Sequence, residues 1–384
     1  MQSETIESAR RFGFLESLNS AESLSGDFAF FHALASNVSD YLSRQALGKL
    51  VDELPVVTSL PSSEELHLAK MALSLLAQAY VWESASDGVN GPRRILPKAL
   101  AIPLVNVSRA LQEKLIYLYA DHTLRNSRLI NRDGPLELSN MRSDYTFSGT
   151  PDEDQFVVVH TAYDAIGVAA VEAAIEIMEN QLEGAEANMR LGLISDVLDQ
   201  MRKEFLKVRS IVSPDVFRDK IRLYLMGWHG NVPDMQYEGC DLRPSELRGE
   251  TGAGSALLPF FDRFASVFVR EQIGHHLTHH PASSHIDTYF DFDRFRPIEH
   301  RNILKWTESR TNMRDLAKEG GINVACYNNV VQSILEMRKA HMVSVGVYMK
   351  GSSHPNMQGG YGTGGSLYSD YLHSLVEETR NRLL

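Results

Sequence analysis

VVQSILEMRKAHMVSVGVY, residues 330–348, is the stretch whose reading decides the fold. Val330, Ile334, Met337, His341, Val345 and Tyr348 recur at steps of three and four, so a helix gathers all six on one apolar face. A single histidine sits at the centre of that face. Arg338 lies one turn before it, close enough to reach a group near the base of the imidazole. Such a histidine is either a core residue with one hydrogen bond or a ligand to a metal, since histidine is only intermediate in how often it is buried.

The same period recurs through most of the chain. Thr150-Pro151-Asp152-Glu153 joins an N-cap threonine, a proline at the first helical position and a glutamate at the third. The helix it starts is expected to run to about Gln181, with Phe156, His160, Tyr163, Gly167, Val171, Ala174 and Met178 as its inner stripe. Gly167, with Ala169, Ala170, Ala173 and Ala174, permits the close approach of another helix or of a flat ligand.

Before it, short helical pieces are expected over 28–50 and a proline-bearing loop over 54–61. Ser62 and Glu65 form a capping box for a helix reaching about Trp82. Residues 96–103, with Pro97 and Pro103, read as an extended linker. A helix over 108–126 brings Tyr119, Asp121 and His122, and 127–149 reads as irregular. After the central helix, others are expected over 186–208, 214–228 and 256–273, with a small-residue loop at 250–255. A glycine-rich segment at 351–365 and a closing helix at 366–383 complete an all-α chain. It divides into a smaller N-terminal helical domain, 1–149, and a larger helical domain, 150–384.

Composition bounds the function. In 384 residues the hydrophobic share is 43% and the charged share 23%, ordinary for a globular protein. The net charge of -11, with no Lys/Arg run beyond a doublet, speaks against a nucleic-acid partner. Cys240 and Cys326 are too few for a disulfide framework or a thiolate zinc site. The first fifteen residues lack the apolar centre of a signal peptide, and no stretch nears the ~18 uninterrupted apolar residues of a membrane span. A cytoplasmic protein without membrane partners is the expectation.

Two stripe histidines, His160 and His341, are the strongest chemical pair. Helices that each turn an apolar face with one histidine inward suit a planar, mostly apolar cofactor with a metal centre, and haem is one. The histidine-rich run at 274–285 has His275 and His279 four apart, but no acidic partner at zincin spacing, and reads as an exposed loop. Glu64-x-x-His67 is the chain's one Glu-x-x-His motif, whereas a di-iron bundle needs two.

A set of ordered stretches resembles the indoleamine 2,3-dioxygenase family, haem enzymes of tryptophan catabolism. They are Ala79-Tyr80-Val81-Trp82, the 96–103 segment, Leu118-Tyr119-Ala120-Asp121, and Ile221-Arg222-Leu223-Tyr224-Leu225 with Gly227-Trp228 and Gly230-Asn231. The 255–262 stretch ending in Phe261-Asp262, then His300-Arg301-Asn302, Arg338-x-x-His341 and Gly362-Thr363-Gly364-Gly365 follow. The resemblance implies haem b with His341 as proximal ligand to iron, Arg338 and Asp262 as a pair bracing it, and Arg222 as the partner of a substrate carboxylate. It implies Tyr119 and Phe217 over the substrate ring, Thr251 and Gly252 in a loop lining the distal pocket, and Thr363 on a lid.

Three positions depart from the family's animal pattern. His160 falls where a serine is usual, as in the sister tryptophan 2,3-dioxygenases with a distal histidine facing the indole N–H. Arg218 replaces a phenylalanine and His122 a cysteine. The implied reaction inserts O2 across the indole C2–C3 bond of L-tryptophan or a related indoleamine, giving N-formylkynurenine without a flavin or nicotinamide in turnover. The alternatives are a haem monooxygenase or peroxygenase acting on a tryptophan derivative, and a haem-binding sensor or carrier. The implied partners are a small indole amino acid and O2, in a monomer or weak homo-oligomer.

Overall fold

The computed structural model describes residues 2–16, 21–242, 247–268, 283–310, 312–351, 360–365 and 367–384. Helices carry the fold. Among the described residues the strands amount to two short pairings: Ile95–Leu96 runs parallel to Gln236–Tyr237, and Ser127–Leu129 antiparallel to Met141–Ser143.

The central helix is Pro151–Asn180. Thr150 is extended and its side chain accepts the Glu153 N–H at 3.4 Å. Pro151 fills the first position, and Asp152, Glu153 and Asp154 complement the positive end of the helix dipole. Gln181, at φ +48°, stops it with its N–H on the Ile177 carbonyl. The chain then turns back through Gly184–Leu206, and Val324–Met349, the helix bearing His341, packs on that second helix. Gly167 permits a close crossing: a Cβ there would meet Leu257 Cδ2 at 2.8 Å and Met201 Sδ at 3.3 Å. By length and composition Pro151–Asn180 could cross a membrane, yet here it packs along Gly184–Leu206 and Gln2–Phe12.

Several sequence expectations are corrected. Glu65 accepts from both Ser62 N–H (3.2 Å) and Ser62 Oγ–H (2.8 Å), but the helix begins after it, as Leu66–Glu83, so the pair closes a turn before the helix. The 96–103 linker is instead the start of helix Lys98–Ala110, entered through Pro97. Pro103 sits inside and forfeits one hydrogen bond; burial of Leu100, Ala101, Leu104, Val105 and Val107 holds the helix regardless. The helix expected over 108–126 breaks near Gln112 (φ +54°), and Ala120–Leu124 form one wide turn closed by Arg125 N–H on the Ala120 carbonyl at 2.9 Å.

The helix expected over 214–228 is shorter and broken, its last piece being Arg222–Leu225. That expected over 256–273 is Leu257–Phe264, ended by Ser266 at φ +55°. The strand pair within 127–149 falls where irregular chain was expected.

Packing crosses the 149/150 boundary both ways. One apolar core joins Phe31, Leu73 and Leu100 to Leu223, Trp228 and Tyr237; the other joins Ile6, Ala9 and Phe14 to Val171, Leu198 and Phe260. As a division into two folding units, that boundary stays a proposal.

Candidate active site

A cavity opens between the Pro151–Asn180 and Val324–Met349 helices, enclosing about 1600 Å³ of empty space including its mouth. Tyr119, His160, Phe217, Thr251, Gly252, Asp262, Arg338, His341 and Thr363 all line it. Arg222 does not. The histidine run at 275–280 lies outside the described residues, as does 352–359 of the glycine-rich segment.

His341 is half-buried, and its imidazole makes no hydrogen bond among the described residues. Burial first, then His160 and Arg338, pushes its pKa down to about 4, so the ring is neutral and keeps a lone pair for a metal. Across from Nε2 the chain carries Gly252, where a Cβ would stand 3.5 Å away. Phe205 packs beside the ring, centroids 5.9 Å apart. An unpaired neutral imidazole facing an aromatic cavity fits a haem iron ligand.

Arg338 anchors the His341 helix from the turn before it. Its Nη2 donates to Asp262 Oδ2 at 2.5 Å, its Nη1 donates to Thr379 Oγ1, and its guanidinium lies 5.0 Å over the Phe268 ring. Tyr289 O–H donates to the same Asp262 oxygen at 2.5 Å. The cluster ties four helices together, and among the described residues it makes no hydrogen bond to the His341 ring. Its influence on His341 is therefore through helix position.

His160 faces the same cavity. Its Nδ1 lies 2.7 Å from the Phe156 carbonyl, which has no proton to give, so Nδ1 carries the hydrogen and Nε2 is left as acceptor. Burial pushes its pKa down, with the Phe156 bond opposing. Phe156, at 4.5 Å from His160 and 5.0 Å from Phe217, builds an aromatic wall. Tyr119 stands edge-on to His160 at 6.4 Å.

The turn holding Tyr119 is fixed from below by buried charge. Asp121 accepts from Lys70 Nζ at 2.7 Å, Arg125 Nη1 at 2.8 Å and the Leu118 N–H at 3.0 Å. Arg218 is off the wall, donating to the Lys350 carbonyl at 2.8 Å, so its exchange for an aromatic residue withdraws a side chain from the pocket without adding a charge to it.

The 360–365 segment is docked over the cavity. Gly227 N–H donates to the Thr363 carbonyl at 3.1 Å, Arg222 Nη2 to that of Tyr361 at 2.7 Å and Arg248 Nη1 to that of Gly364 at 3.2 Å. Gly249 makes the crossing feasible, since a Cβ there would stand 2.5 Å from the Thr363 oxygen. Expected as a carboxylate partner on the wall, Arg222 is found behind it, holding this segment.

Sequence reasoning missed Phe205, Glu250 and Asp164. Phe205 looks like ordinary core on its helix, and Glu250 belongs to an aperiodic loop. Asp164, one turn after His160, is buried and accepts from Tyr119 O–H at 3.2 Å. Burial, with the Tyr119 bond opposing it, pushes its carboxyl up to about 7. The folded chain thus holds this proton more tightly than the unfolded one. The associated stability is complete below about pH 4, falls as pH rises toward 7 and then levels. Asp164→Asn should lose less thermal stability than the parent between pH 5 and 8, by about 2 to 3 kcal/mol, since the loss runs from pH 5 up to the folded pKa of about 7. Parallel melting-temperature profiles for the two proteins would contradict the assignment.

Comparison with known proteins places the whole chain in one family. The family model described as indoleamine 2,3-dioxygenase matches residues 4–381. Indoleamine 2,3-dioxygenase 2 of Mus musculus is 28% identical over 98% of this chain and 94% of its own length. The indoleamine 2,3-dioxygenase of Saccharomyces cerevisiae is 26% identical over 80% and 72%. A myoglobin of Haliotis diversicolor is 27% identical over 62% and 63%. With the match running almost end to end, the chain belongs to the indoleamine 2,3-dioxygenase family and is a haem-dependent oxidoreductase.

Proposed function

We propose that this site inserts both atoms of O2 across the indole C2–C3 bond of L-tryptophan, giving N-formylkynurenine. The C2–C3 and O–O bonds break, two carbonyl groups form, and the balance calls for no outside reductant. The observation that carries the reading is the neutral, cavity-facing imidazole of His341 with His160 on the facing wall. Ferrous haem held by His341 supplies the redox centre for activating O2.

The chain's own residues position the substrate. Phe156, Phe217 and Tyr119 hold the indole ring, and His160 Nε2 accepts a hydrogen bond from its N–H. Thr363 and its glycine neighbours cover the mouth and exclude water. We assign the carboxylate to Arg222, which would reach it by giving up the bond it makes to the Tyr361 carbonyl behind the wall. Burial pushes this guanidinium below its usual range, and an arriving carboxylate offsets that cost.

Arg222→Ala should raise KM for L-tryptophan roughly 10- to 100-fold with haem content intact, the worth of one charged hydrogen bond; unchanged kinetics would remove it from the site. His160→Ser should keep haem and change kcat by about 100-fold or shift the substrate range; if neither moves, His160 is a wall residue only. The direct test is the loss of L-tryptophan when reduced, haem-loaded protein meets air. Its persistence, while another indole is consumed, would reassign the substrate.

A further inference from the structure

One carboxylate on the cavity wall takes no part in the proposed reaction. Glu250 is 5% exposed, and it lines the cavity immediately before Thr251. Within 4 Å its one ionic neighbour among the described residues is His122 Nδ1, at 3.5 Å. No lysine or arginine pairs with it among those residues. Both ring nitrogens of His122 are themselves buried without a hydrogen-bond partner among the described residues.

The surroundings are aromatic. The His122 ring stacks on Phe156 at 5.6 Å, and Phe156 packs against both His160 and Phe217. A carboxylate held in such a wall costs several kcal/mol unless a counter-charge meets it. His122 meets one side of Glu250, and the cavity that Glu250 lines admits a cation to it. A substrate amino acid brings one.

We propose that Glu250, braced by His122, binds the α-ammonium of the substrate and makes the site select free amines over deaminated analogues. The proposal rests on the tryptophan reading given above and extends it. Arg222 and Glu250 would then grip opposite charges of one zwitterion, with the indole between the aromatic side chains. Truncating a charged hydrogen bond of this kind weakens binding about 10- to 100-fold.

The experiment is equilibrium dialysis with ferric, haem-loaded protein and three probes: L-tryptophan, tryptamine and indole-3-propionate. Glu250→Gln should lose about 10- to 100-fold in affinity for the first two and leave indole-3-propionate, which has no ammonium, unchanged. Glu250→Asp, which keeps the charge but withdraws it by one methylene, should fall between and serves if Glu250→Gln does not fold. Equal changes for all three probes, or no change, would overturn the proposal while leaving the tryptophan reading standing. Failure of the parent protein to bind L-tryptophan would sink that reading, and the proposal with it.

Discussion

His341→Ala is expected to abolish haem binding and with it all turnover. The variant removes the lone pair that faces the cavity, and the other imidazole that lines it among the described residues, His160, has Nδ1 committed to the Phe156 carbonyl. Losing a supporting residue around a metal typically costs 10- to 100-fold in affinity, so losing the ligand should exceed about 100-fold. The Soret band should disappear after desalting. His341→Gly with added imidazole should restore it, because the cavity would then admit the missing ring. A normal imidazole-ligated spectrum in His341→Ala alone would refute the assignment. Fold loss is not expected: the ring is half-buried, and the helix is held by Val330, Val331, Ile334, Leu335 and Met337, all buried.

Asp262→Ala should destabilise the protein by about 3–5 kcal/mol, the range for breaking a buried ion pair and stranding one charge. Asp262 is fully buried and Arg338 nearly so. The variant leaves the guanidinium without its anion and takes the acceptor from Tyr289 as well. Against a typical total of 5–15 kcal/mol, that is a large fraction. Asp262→Asn keeps the volume and one acceptor oxygen, and should cost less. Urea unfolding monitored by circular dichroism measures both; a loss below about 1 kcal/mol in Asp262→Ala would show that the cluster contributes little to holding the helix. Since Arg338 precedes His341 by one turn, haem retention should weaken in the same order.

What could be read from sequence follows the strength of local signals. The two long helices with His160 and His341 were legible because their apolar stripes run through many turns, and Thr150-Pro151 marks one of their starts without ambiguity. Prolines misled at 96–103, where burial of the apolar face outweighs the bond that Pro103 forfeits. The Tyr119 turn was misread as helix because its shape comes from Asp121 gathering Lys70, Arg125 and the Leu118 N–H, residues that local periodicity cannot bring together. Arg222 was singled out by resemblance alone, and its place behind the wall depends on Tyr361, far along the chain. Glu250 and Asp164 carried no signal at all; one sits in a loop and the other resembles a surface acid on a helix until the fold buries it.

Whether this cavity puts both atoms of O2 into tryptophan is read from the mass of the product made under 18O2. Reduced, haem-loaded protein with L-tryptophan should yield a product heavier by two oxygen atoms, both labelled. A product with one labelled atom, or unaltered tryptophan from protein with haem fully bound, would contradict that insertion.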